Sequence, residues 1–234
     1  MISLDKLEQH APGLVRLAKT AAVSLTKHGL SGQRAAVYLV VDRSYSMHPY
    51  YRDDSVQHLA DQSLGLSVNV DDDGIVPLVF FDTRAYPVVS VRLGDHKGVV
   101  ADQHHLFGGD GTMGGTNYGP AMQVVVDHYA GSGTTDPALV IFQTDGAPQD
   151  AAVAAQLLTR YAKRPLFWAF VGFGPRPVPF LQRLDTLPDR LVDNASYFHA
   201  GACPKAIADA DLYDGITGEF AAWLPAARAA GVLA

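Results

Sequence analysis

Three short stretches carry oxygen donors with the spacing of a cation site. Asp42-Arg43-Ser44-Tyr45-Ser46 places a carboxylate and two hydroxyls at alternate positions, directly after the apolar run 37–41. In "MGGTNYGP", Thr116 adds a hydroxyl behind two glycines, which let backbone come close to whatever is bound. Asp145 contributes a second carboxylate at the end of "ALVIFQTDG". Asp42, Ser44, Ser46, Thr116 and Asp145 thus supply two anions and three hydroxyls. These are hard donors, suited to Mg²⁺, with Mn²⁺ or Ca²⁺ as alternatives, rather than to a soft metal. Mg²⁺ takes about six oxygens and tends to keep waters, so five side chains leave a position open.

Taken singly, most of these residues have plainer roles. Asp145-Gly146 is a turn dipeptide. Thr116 or Asn117 can cap the helix that begins near Pro120. Ser44 and Ser46 can satisfy loop backbone. Asp42 resists such an account, because an acid at the tip of a buried strand must be solvated, hydrogen-bonded or paired with a cation.

The elements that position these groups alternate along the chain. Apolar, β-branched and aromatic runs at 35–41, 76–81, 138–143 and 166–172 predict buried strands. "VVSVRL" (88–93) pairs with the strand before it as an antiparallel edge, and "ASYFHA" (195–200) is a sixth strand. Helical spacing links Val56, Leu59, Ala60 and Leu64, with Asp54 or Ser55 as N-cap, and links Met122, Val125, Val126 and Tyr129. A further helix follows Asp150. Pro12 opens an N-terminal helix carrying Leu14, Leu17, Ala21 and Leu25; Leu212, Ile216, Phe220, Trp223 and Leu224 form a C-terminal stripe that Pro225 breaks or kinks. Doubly buried strands separated by helices imply a mostly parallel six-stranded sheet with helices on both faces, and ligand groups gather beyond the carboxyl ends of such strands.

Asp42-Arg43-Ser44-Tyr45-Ser46, Thr116 and Asp145 resemble the metal-ion-dependent adhesion site (MIDAS) of the von Willebrand factor type A (vWA) domain. "APGLVRLAKTAAVSLTKHGL", "GGTNYGPAM", "RPLFWAFVGFG" and "LYDGITGEFAAWLPAARAAGVL" extend the likeness across nearly the whole chain, to the bacterial branch associated with tellurium-resistance (Ter) stress systems. The resemblance implies a three-layer αβα, Rossmann-like fold over 1–234 as a single domain. Residues 1–30 form a helical extension, 35–200 the core, and 205–234 a C-terminal helical segment. It also implies a cation at the sheet's upper edge whose open position accepts a carboxylate from a partner protein, other Ter-system proteins among the candidates. Ser44 and Ser46 would coordinate directly, with Asp42 close by or through water. Arg43, Tyr45 and Asn117 would lie at the rim that meets the partner. Many relatives carry small residues where this chain has Arg43 and Tyr45.

The expected function is therefore a non-enzymatic, metal-dependent interaction module in a cytoplasmic tellurite or stress response. A Mg²⁺-dependent phosphohydrolase is the alternative, disfavoured because Ser44 stands where a phosphoaspartate mechanism wants a second acid, with Arg43 only a remote charge clamp. A metal that merely braces the fold is a third option.

Composition narrows the field further. The 234 residues carry a formal net charge of -6, which supplies no basic footprint for nucleic acid. Neither a signal-like leader nor a membrane-spanning run stands out. Cys203 is the one cysteine, so no internal disulfide forms. Gly109–Gly114 matches G-x-G-x-x-G without the strand and helix that motif needs, and is better taken as a flexible loop of the metal site. Asn69–Gly74 has no glutamate where a calcium loop requires one, and fits a helix-to-strand turn. His48, His104 and His105 lack zinc spacing and are expected on surfaces or loops.

Overall fold

The alternating pattern of the sequence becomes a layered structure in the computed structural model, which describes residue 2 and residues 4–234. In chain order the described elements are α1 (Leu4–His10), α2 (Val15–Lys27), β1 (Ala36–Asp42), α3 (His48–Arg52), α4 (Ser55–Val70), β2 (Ile75–Phe81), β3 (Val89–Arg92) and α5 (Val99–Leu106). They continue with α6 (Tyr118–Gly131), β4 (Ala138–Thr144), α7 (Ala151–Tyr161), β5 (Leu166–Phe173), α8 (Pro179–Asp185), β6 (Ala195–Gly201) and α9 (Asp209–Ala229).

The strands form one six-stranded sheet in the order β3-β2-β1-β4-β5-β6. All neighbours are parallel except β2 and β3, so the antiparallel strand lies at an edge, as expected. From β1 the chain first builds outward to β2 and β3, then crosses to β4 on the other side. The reversal of strand order therefore falls at β1 and β4, whose carboxyl ends carry Asp42 and Asp145.

Successive side chains of a strand point to opposite faces, and β1 divides two cores in this way. Val37, Leu39 and Val41 pack into one with Leu17 of α2, Leu64 of α4 and Phe220 of α9. Tyr38 and Val40 enter the other with Met122 of α6, Leu158 of α7 and Leu181 of α8. Helices thus cover both faces, giving three layers.

Two details depart from expectation. Of the break or kink expected at Pro225, the break does not occur: helix α9 runs through it, with Phe220, Trp223 and Leu224 buried before it and Ala227 after it. Continuous burial of the stripe offsets the missing backbone donor. At the start of α4 neither Asp54 nor Ser55 caps by its side chain; Asp54 is left-handed (φ 61°), and Asp53 Oδ1 accepts from the Ser55 amide at 2.9 Å. The 71–74 segment is the expected helix-to-strand turn, where Asp73 Oδ1 accepts from the Ile75 amide. Cys203 is free and exposed.

Candidate metal centre

Register places the first carboxylate. Val41 lies opposite Gln143, so one step further Asp42 stands beside Thr144, both on the face covered by α6 and α7. Asp42 is fully buried, and both of its oxygens are occupied. Oδ2 accepts from Thr144 Oγ1 at 2.6 Å, and Oδ1 accepts from the Ser44 amide at 2.6 Å. Beyond the strand the chain turns so that the Tyr45 amide donates to the Gly114 carbonyl at 3.0 Å, which joins the D-x-S-x-S loop to the G-G-T loop. Ser44 Oγ lies 3.2 Å from Ser46 Oγ, and Ser46 Oγ donates to Asp145 Oδ1 at 2.8 Å. A line of hydroxyls therefore runs between the ends of β1 and β4.

The electrostatics of this line are unbalanced. Burial pushes the Asp42 carboxyl up to about 7, against the hydrogen bonds from Thr144 and Ser44, and the nearby charge of Asp145 adds to the rise. Burial also raises Asp145, opposed by the Ser46 hydrogen bond. Among the described residues no Lys, Arg or His is ion-paired with either acid. Two partly desolvated carboxylates without a cationic side chain fit a divalent cation, whose charge would remove the penalty. Among the described residues no group of three or more His, Cys, Asp and Glu is placed to hold a metal, so a cation here would draw on the hydroxyls as well.

Thr116 and Asn117 are free of the capping role open to them from sequence. The N-terminus of α6 is capped from outside: Asp150, just before α7, accepts from the amides of Tyr118 (2.9 Å) and Gly119 (2.8 Å). The acid reaches both because Gly119 has no side chain; a Cβ there would stand 2.8 Å from Asp150 Oδ2. The Thr116 hydroxyl makes no hydrogen bond within the described residues, while its carbonyl accepts from Gln149 N at 2.8 Å. Gly114 packs against Asp82, where a Cβ would come 3.1 Å from the carboxyl carbon. Asn117 donates to the Thr83 carbonyl at 3.0 Å and is half-buried. Tyr45 is 75% exposed and stacks on His48, with ring centres 6.5 Å apart.

Arg43 is the correction. Expected at a partner-facing rim, it is fully buried. The alternation of β1 continues one residue past the strand and turns Arg43 to the face opposite Asp42. There it meets Asp82, one step past Phe81 on β2, at 3.5 Å. Its guanidinium donates to Tyr86 Oη (2.8 Å), Thr112 Oγ1 (2.6 Å), Gly109 O (2.8 Å) and His104 Nδ1 (3.1 Å). The glycine-rich 109–114 segment is therefore no free loop. It presents carbonyls to an internal cation, the reverse of a phosphate cradle built from amides. His104 is also buried rather than on the surface; with Nδ1 accepting from Arg43, its Nε2 carries the proton and donates to Asp110 at 3.0 Å. His48 reaches the same carboxylate at 2.7 Å from α3, and His105 is exposed.

Thr144, Asp82 and Asp150 were missed from sequence. The signal for Asp82 was present, since "PLVFFD" ends on an acid as "YLVVD" does. The hydroxyl of Thr144 lies next to Asp145 at a strand end. Nothing local marks Asp150 as a cap for a helix that begins 32 residues earlier.

Comparison with known proteins agrees with this architecture. Residues 34–233 match the vWA-TerF-like family model, described as the vWA found in TerF C terminus. The uncharacterized protein YcbR of Bacillus subtilis (strain 168) is 29% identical over 222 residues, spanning 92% of this chain and 88% of that one. The crystal structure of the SpRpn10 VWA domain superposes with a TM-score of 0.57 at 15% identity, covering 76% of this chain and 93% of the other. Manganese-loaded TRAP protein of Plasmodium vivax gives 0.55 at 19% identity, over 79% and 75%. A mussel byssus protein, proximal thread matrix protein 1 with a zinc-occupied MIDAS motif, gives 0.52 at 14% identity; 80% of this chain is covered, but only 48% of that protein. At these identities the structural likeness speaks for the fold alone.

Proposed function

The chain belongs to the vWA-TerF-like family, and from that premise we propose that it is a divalent-metal-dependent protein-interaction module. Asp42, Ser44, Ser46, Thr116 and Asp145 hold the cation, and Tyr45 and Asn117 lie on the side that meets a partner. The observation that carries this reading is the pair of desolvated carboxylates, Asp42 and Asp145, joined by hydroxyls and paired with no cationic side chain among the described residues. Hydroxyls where a closed site would have acids leave a bound cation with residual positive charge, which favours an anionic sixth ligand such as a partner's carboxylate. Two structural neighbours, one loaded with manganese and one with a zinc-occupied MIDAS motif, support a divalent ion; the all-oxygen donor set favours Mg²⁺, with Mn²⁺ or Ca²⁺ as alternatives.

The module acts without catalysis. Arg43, the remote candidate for a phosphate clamp, is taken up by its own buried partners. The Ter-associated branch of the family supports a role in a bacterial tellurite or stress response, in the cytoplasm, with the chain working as one domain. Among the described residues no helix is long and apolar enough to cross a membrane.

Calorimetric titration with Mg²⁺ and Mn²⁺ tests the site. Binding is expected at one site per chain and lost in Asp42→Ala and Asp145→Ala, with circular dichroism unchanged. Undiminished binding in both variants overturns the assignment. For the partner, co-purification from the source cell in Mg²⁺ and its loss in EDTA is the expected outcome; a partner retained in EDTA refutes metal dependence.

A further inference from the structure

A groove of about 460 Å³ opens beside the second carboxylate of the metal centre. One wall is Asp145-Gly146-Ala147, and the other is the "GPRPVP" loop 174–179 that leads from β5 into α8. Part of the polar backbone around it is already engaged. Gly174 donates to the Gly201 carbonyl (2.9 Å) and its own carbonyl meets His199 Nε2 (2.8 Å). The Val178 amide donates to Tyr197 Oη at 2.9 Å. Pro175 and Pro177 have no N–H to offer. Across the groove, the Gly146 carbonyl accepts from Tyr118 Oη at 2.5 Å. A bound chain thus meets a largely apolar wall rich in proline. The exception is Arg176, which lines the groove, is exposed, and has no ion pair or hydrogen bond among the described residues.

We propose that this groove receives an extended acidic segment of a protein partner, with one carboxylate on the metal and a second, a few residues away, on Arg176. The proposal deepens the metal-dependent reading above and rests on it. Charge complementarity carries it. The proposed metal and Arg176 are the two positive centres around the groove. A segment that brings a single acid to the metal leaves the guanidinium unpaired beside it. Arginine suits such a role because its planar fork takes a carboxylate through two parallel N–H donors. The prolines around Arg176 and the hydrogen bonds behind Gly174 and Val178 hold the loop in place before anything binds, which reduces the ordering cost of recognition.

The test uses synthetic peptides on the full chain in about 5 mM Mg²⁺, the regime that saturates a micromolar-to-millimolar site. One peptide carries a single glutamate in a glycine-serine background; a second set carries two glutamates separated by one to four residues. Amide chemical-shift titration reads both affinity and location. The expected result is that the best diacidic peptide binds about three- to fivefold more tightly than the single acid, the range of an exposed charge pair. It shifts amides of 174–178 together with those near Asp145, and Arg176→Gln abolishes the preference while sparing the single-acid affinity. A single-acid peptide that needs Mg²⁺ while no diacidic peptide gains over it overturns the groove proposal and leaves the metal reading standing. A diacidic preference that survives Arg176→Gln also overturns it. Binding of neither peptide in Mg²⁺, or equal binding in EDTA, overturns both.

Discussion

Replacing Asp42 by asparagine should stabilise the metal-free protein and abolish its response to metal. The substituted side chain retains the geometry: its oxygen can accept from the Ser44 amide and its NH₂ can donate to Thr144 Oγ1. That hydroxyl can turn its proton to the Gly146 carbonyl, 3.2 Å away. What disappears is the buried charge. Folded Asp42 keeps its proton up to about pH 7, against 3.8 for the ordinary carboxyl. Because the folded value is the raised one, the protonated acid costs nothing below about pH 3.8, and stability is lost as pH rises until the loss levels off above 7. The full loss is on the order of 4 kcal/mol. Between about pH 8.5 and about pH 5 the lead of Asp42→Asn over the wild type should shrink by roughly 2–3 kcal/mol. That difference does not depend on how well the asparagine hydrogen-bonds.

Urea unfolding in EDTA at the two pH values measures it. Repeating the series in Mg²⁺ at about a hundred times Kd should raise the wild type by about 2.7 kcal/mol and leave the variant unmoved. A lead that is the same at both pH values refutes the reasoning. So does a variant that responds to Mg²⁺ as the wild type does. In either case Asp42 would be an ordinary hydrogen-bonding anchor and not a charge awaiting a cation.

Other substitutions test neighbouring parts of the structure. Arg43→Met strands buried Asp82 and the carbonyls of Gly109 and Thr112, and should cost about 3–5 kcal/mol in urea unfolding; a change under about 1 kcal/mol would refute a structural role for the guanidinium. Asp150→Ala removes the cap of α6 and should cost about 1 kcal/mol. Gly119→Ala should cost a similar amount by pushing that carboxylate away, and the two should be sub-additive in thermal melts because they break one contact; strict additivity counts against the cap. Ser46→Ala interrupts the hydroxyl line to Asp145 and should weaken Mg²⁺ binding by roughly tenfold or more with unchanged stability in EDTA. Calorimetry decides, and unaltered affinity would remove Ser46 from the site.

The two acids of the candidate metal centre stood out in the sequence because each closes an apolar run, where a charge has no local reason to be. The six strands, the layers and the antiparallel edge followed from the same runs and from the short connection between β2 and β3, whereas the order of the strands did not. Arg43 was not legible, since five consecutive residues of mixed polarity look like a loop with every side chain in water. Only the register of β1 against β2, which sets Arg43 opposite Asp82, reveals an internal ion pair. Helices α3 and α5 also escaped notice. "HPYYR" and "VVADQHHL" are too short to display a period, and their place comes from packing of Tyr51 on His104, with ring centres 4.5 Å apart, and from the His104 bond to Arg43. The Asp150 cap depends on two loops meeting in space, which no local pattern encodes.

Asp42 and Arg43 are adjacent in the chain yet serve opposite sides of the sheet, the acid toward Thr144 and the base toward Asp82. Inserting or deleting a single residue in the central strand would turn each to the wrong face. An insertion would carry the carboxylate to face Asp82, and a deletion would set the guanidinium beside Thr144. Homologues of this chain should therefore vary freely in the lengths of their outer loops while keeping the residue count from Ala36 to Arg43 unchanged.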